Sequence, residues 1–105
     1  MKRNLYSKDE IVLCTYIARF GRDRFDENDI YHLKERSVSS LKMKVQNIAA
    51  MLAEEGYDID GDVSQLSGKT TGEKGRRTNW DIVRNHTELK KSEMLVICEK
   101  IIKIN

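Results

Sequence analysis

Two groups of residues in this chain have the types and spacing for contact with a polyanion. The first lies in Ser37 to Gly56, SVSSLKMKVQNIAAMLAEEG. Leu41, Val45, Ile48 and Leu52 recur at i, i+4, i+7 and i+11, a spacing that gathers them on one side of an α-helix. Ser39, Met43, Gln46 and Asn47 then face away, with Ser40 at the start and Lys42 and Lys44 on the flanks. A solvated helix face is ordinarily filled with Glu and Lys, whereas this one carries hydroxyls, amides, two cations and a thioether. In a major groove the hydroxyls and Lys42 suit phosphates, Gln46 suits the paired donor and acceptor of adenine, and Met43 suits a thymine methyl group.

The second group lies between Tyr57 and Asn79, which holds Gly61, Gly68, Gly72 and Gly75 and no sustained apolar period. Its charge is segregated, with Asp58, Asp60 and Asp62 first and then Lys69, Lys74, Arg76 and Arg77 against Glu73. Glycines let backbone amides approach an anion, and the Lys and Arg side chains supply charge, so residues 57–78 read as a flexible loop whose second half is a basic arm for phosphates. A stretch this long also leaves room for a short hairpin.

Other chemistries fail on spacing. Gly68-Lys69-Thr70 has the end of a phosphate-binding loop, but Val63 stands where the earlier glycine is needed. Asp58, Asp60 and Asp62 open like a calcium loop, yet Val63 and Lys69 occupy the positions that require Gly and Glu. Cys14, His32, His86 and Cys98 include no close ligand pair for zinc. No nucleophile has a neighbouring base, so the expectation is a non-catalytic protein without metal or cofactor.

The elements that position the first group follow from their end signals. Ser7-Lys8-Asp9-Glu10 is a capping box, with Tyr6 and Ile11 as its staple, and it starts a helix over Lys8 to Phe20 that Gly21 ends. Leu13, Cys14, Ile17 and Phe20 form its buried stripe. A shorter helix begins at N-cap Asp26, with Asp29 three residues on and Phe25 stapled to Ile30. Lys34 to Ser37 then turns the chain, and Ser37 caps the long helix. Short helix, tight turn and longer amphipathic helix read as helix-turn-helix, whose second helix enters the groove. Thr78 is the N-cap expected to restart helical structure, docked by Trp80, Ile82 and Val83, with His86 satisfying carbonyls near a helix end. Over residues 94–104 the spacing of Leu95, Cys98 and Ile102 is helical while the β-branched content favours a strand; the length of the pattern favours a helix.

Composition sets the frame. A chain of 105 residues makes one domain, here 8–56 as core, 57–78 as loop and 79–105 as a C-terminal helical segment, and the fold class is mainly α. With 34% charged and 39% hydrophobic residues it belongs with soluble proteins, and no apolar run reaches the roughly 20 residues of a membrane span. No apolar stretch follows the basic start, so a cytoplasmic location and no membrane partner are expected. Cys14 and Cys98 sit in apolar segments as small buried hydrophobes.

Ser40-Leu41-Lys42-Met43-Lys44-Val45-Gln46-Asn47-Ile48-Ala49-Ala50-Met51 resembles S-V-x-M-K-L-x-N-F-x-x-L, a pattern of the N-terminal DNA-recognition heads of some HNH-type restriction endonucleases. Ser7 to Ile11 is similar to that family's opening helix and Trp80 to its later tryptophan, so the resemblance spans Tyr6 to Gly56 and then thins. It implies a helical head that binds double-stranded DNA, of a kind sensitive to base modification. Ile48 stands where the family often has Phe, and no His-Asn-His nuclease segment is present, so cleavage is not implied. The competing expectation is a protein-interaction module, an adaptor or inhibitor of a defence or regulatory protein, which would use exposed Met43 and Ala50 against a partner helix. The formal net charge of only +2 favours that alternative.

Overall fold

The computed structural model describes residues 6–34, 37–60 and 79–104, and among them the regular secondary structure is all helical. The helices are α1 Lys8–Phe20, α2 Glu27–Lys34, α3 Val38–Glu54, α4 Trp80–Val83 and α5 Lys91–Ile104, with a 3-10 turn Arg84–His86 after α4. The mainly α fold class stands, and no described helix is long and apolar enough to cross a membrane. The turn residues Glu35 and Arg36, the segment 61–78 with any hairpin in it, and the expected cap Thr78 lie outside the described residues.

The helix ends form as their residues dictate. Ser7 Oγ accepts from the Glu10 amide at 3.2 Å while Glu10 Oε1 accepts from the Ser7 amide at 2.8 Å, the reciprocal bonds of a capping box. Asp26 and Asp29 repeat it at α2, where the Asp26 amide donates to Asp29 Oδ2 at 2.9 Å. Ser37 caps α3 through the Ser40 amide. At its far end Gly56, at φ 87°, lets the amide of Tyr57 reach back to the Leu52 carbonyl at 2.9 Å and its own amide to Ala53 at 3.1 Å. That pair of bonds closes the helix and swings Tyr57 onto the core.

α1 is the centre. The expected stripe of Leu13, Cys14, Ile17 and Phe20 understates it, because every residue from Glu10 to Ala18 is buried. α2, α3, α4 and α5 all pack against it, and α2 and α3 also pack on each other. A helix covered on all sides reads in sequence as an unbroken apolar run, and Ile11 to Ala18 is one, interrupted only by Thr15, whose hydroxyl donates to the Ile11 carbonyl at 2.7 Å.

Two polar devices hold the remaining chain to α1. Arg19 donates from Nη1 to the carbonyls of His86 and Leu89, both at 2.8 Å, with its guanidinium 4.5 Å over the Phe20 ring. The Asp60 amide donates to the Ala18 carbonyl at 3.0 Å, and its carboxyl group covers Gly21, where an added Cβ would come within 2.9 Å of it. Residues 57–60 have no regular secondary structure, as expected of the loop, yet Tyr57 and Ile59 pack against the core and Asp60 is tied down. At the other end Asn79 is the N-cap of α4, in the left-handed conformation and without a side-chain cap hydrogen bond.

Replacing Arg19 with Met keeps the packing stem and removes the donors from two backbone carbonyls. Hydrogen bonds from a charged donor contribute roughly 1.5–3 kcal/mol each, and water satisfies part of what is lost, so R19M should cost about 2 kcal/mol in urea unfolding. Burial pushes the Cys98 thiol up to about 12, and Cys14 is fully buried. The Cys98 thiolate does not form near neutral pH in the folded state and Cys14 is shielded by its enclosure, so a thiol-reactive dye should label the protein only at the rate of unfolding.

Candidate nucleic-acid interface

α3 presents its sequence-assigned residues unequally. Ser39 and Lys42 are exposed and Met43 is 60% exposed, while Gln46 and Asn47 are half-buried. Ser40 is half-buried because it belongs to the cap: the Ser37 hydroxyl donates to Ser40 Oγ at 2.9 Å, and Ser40's carbonyl accepts from the Tyr6 hydroxyl at 3.0 Å. The Ser40 proton is still available to an outside acceptor.

Lys44 requires correction. It is only 7% exposed, with Nζ 5.2 Å from the centre of the Tyr6 ring and 3.4 Å from Asn47 Oδ1. Burial lowers the pKa of its ammonium group. A lysine one residue off the outward strip has a stem long enough to fold either way, and here the Tyr6 face and the Asn47 amide draw it inward. Lys44 therefore orders Tyr6 and Asn47 rather than standing on the open flank. Tyr6 is the residue that sequence reasoning missed at this site; its signal was the aromatic directly before the capping box.

Ala50 also differs from expectation. Met43, Asn47, Ala50 and Glu54 fall at i, i+4, i+7 and i+11, yet Ala50 is 5% exposed. Apart from Glu54 in its last turn, the open surface of α3 is thus its N-terminal half, built by Ser39, Lys42, Met43 and Gln46. That half has another property. Each of the other four α-helices has an acidic residue in its first turn, Asp9 and Glu10, Glu27 and Asp29, Asp81, or Glu93, whereas α3 has none. No side chain of its own first turn compensates the partial positive charge of its N-terminus.

The other chemistry-bearing residues do not join this site. His86 is buried with Nδ1 2.9 Å from the Ile82 carbonyl, which fixes the proton on Nδ1 and fulfils its expected role at a helix end. His32 is exposed beside Tyr31. No group of His, Cys, Asp or Glu among the described residues is arranged to hold a metal ion. Lys69, Lys74, Arg76 and Arg77 lie outside the described residues. Charge nevertheless makes them matter: carboxylates outnumber cations among the described residues although the whole chain is +2, so the cationic excess resides in the segments 1–5 and 61–78.

No family model, curated protein or solved structure matches this chain.

The two sides of α3 separate in stability. Val45→Ala removes buried volume at a fully enclosed position and should cost on the order of 2 kcal/mol, whereas Met43→Ala should stay within about 0.5 kcal/mol of the parent. Chemical denaturation of both variants checks the assignment, and equal losses would contradict it.

Proposed function

We propose that this protein binds duplex DNA without chemistry of its own, as a regulator or as a recognition subunit. The N-terminal half of α3 lies against a groove, and Lys69, Lys74, Arg76 and Arg77 contact phosphates. The observation that carries the reading is the open start of α3, with no acidic residue in its first turn, following a short helix and backed by an α1 buried from Glu10 to Ala18. Ser39, Ser40 and Lys42 are the phosphate and edge contacts, Met43 meets an apolar base edge, and Gln46 is the amide reader. Lys44 acts indirectly, by holding Asn47 and Tyr6 in place. The resemblance to the recognition heads of HNH-type restriction endonucleases runs through these same α3 residues and supports the same reading.

Protein interaction is the second reading, favoured by one observation: the exposed Met43, an adaptable thioether on an otherwise polar strip. The buried Ala50 removes the other half of the apolar pair that this reading used.

Salt separates the two. DNA contacts through phosphates release counterions, so the logarithm of affinity should fall linearly with the logarithm of salt concentration. Fluorescence anisotropy with the whole chain and mixed-sequence duplexes, modified and unmodified, should show that line. Arg76→Ala with Arg77→Ala should lower the magnitude of its slope by up to about 2, and Gln46→Ala should change sequence preference with the slope kept. Binding to no duplex at low salt would overturn the proposal, and an unchanged slope would remove the basic segment from it.

A further inference from the structure

α5 carries more apolar side chain than α1 covers. Met94 and Cys98 are fully enclosed, but Leu95, Ile97, Ile101 and Ile102 are half-buried and Val96 is 54% exposed. Along this helix runs a groove of about 260 Å³ lined by Arg24, Phe25, Leu95, Glu99, Ile102 and Lys103. Leu95, Glu99 and Ile102 stand at i, i+4 and i+7, and Val96, Glu99 and Lys103 at i, i+3 and i+7. The groove wall and the protruding Val96 are therefore neighbouring strips of one helix face, with Glu99 common to both. Among the described residues no ion pair holds Arg24, Glu99 or Lys103.

We propose that this face is an interface for a second copy of the chain, related by a twofold axis. A twofold contact buries the same patch on both copies, so the patch must be complementary to itself: a projection needs its own receptacle, and any charges need partners of opposite sign within the same patch. This one meets both conditions. Val96 is the projection, the space between Leu95 and Ile102 over Phe25 is the receptacle, and Arg24 and Lys103 are the complement of the other copy's Glu99. A partner of different chemistry would not require the mixed signs; a surface that answers its own charge selects itself. The apolar floor supplies the association free energy, and the flanking charges set register. The proposal is independent of DNA binding.

Sedimentation equilibrium on the whole chain, from low micromolar to millimolar concentration, tests it. The parent should show a reversible, concentration-dependent dimer. Val96→Glu places a charge at the centre of the contact and should weaken dimerisation roughly tenfold or more, with unchanged far-ultraviolet circular dichroism. Glu99→Arg leaves the groove with cations only and should weaken it as well, while Arg24→Glu combined with Glu99→Arg should recover much of the loss. A single-chain mass over the whole range would overturn the proposal and leave the face to a different protein. Dimerisation of V96E and E99R equal to the parent's would overturn it too.

Discussion

The enclosure of α1 is the constraint from which the rest of the molecule follows. A helix buried from Glu10 to Ala18 has no solvent side on which to put a polar group, so each polar atom in it needs a partner from the chain itself. Glu10 returns its carboxylate to the Ser7 amide, and Thr15 bonds the turn below. Tyr16 keeps its ring among Phe20 and Phe25, with centroids 5.3 and 5.2 Å away, while its hydroxyl points toward Asp23; burial and that carboxylate push its pKa up to about 12. With α1 so enclosed, α3 has one available orientation: Leu41, Val45, Ile48 and Leu52 go inward, and Ser39, Met43 and Gln46 are left out.

Enclosure also decides how the C-terminal third is held. α4 is a single turn continued by a 3-10 turn, elements too short to be stable alone, and they need contacts beyond their own hydrogen bonds. Val83 enters the core, and Arg19 reaches from the last turn of α1 to two carbonyls of the connection into α5. A planar guanidinium can serve two acceptors at once, which an ammonium on a single stem does less well. The exposed Lys91–Asp23 pair, at 2.7 Å, adds little beside it.

Much of this was legible in the sequence where the signal is local. Ser7 with Glu10, Asp26 with Asp29, Ser37 and Gly56 mark their helix ends by residue type alone, and the helical reading of 94–104 follows from a period too long for a strand. What could not be read depended on partners distant in the chain. The burial of Lys44 needs Tyr6, the burial of Ala50 needs whatever covers that part of α3, and Arg19 looks like an ordinary last-turn cation until His86 and Leu89 are placed before it. The stripe drawn on α1 erred for the same reason, since periodicity shows which side of a helix is apolar and not how many neighbours share it.

Charge placement gives the DNA reading a physical form. The described residues carry more carboxylates than cations, and α2 begins with Glu27 and Asp29. Such a body has no general attraction for a phosphate backbone, and most ways of laying it on a duplex are repulsive. The cations that would draw it there are in the glycine-bearing segment 61–78 and at the chain start, Lys2 and Arg3. Long-range attraction would then come from those segments, while the body would decide orientation, because the start of α3 is the patch with Lys42, hydroxyls and no first-turn acid. On the proposed reading the small net charge is no argument against DNA: affinity and orientation would be supplied by different parts of the chain, and repulsion elsewhere would narrow the approach to the start of α3.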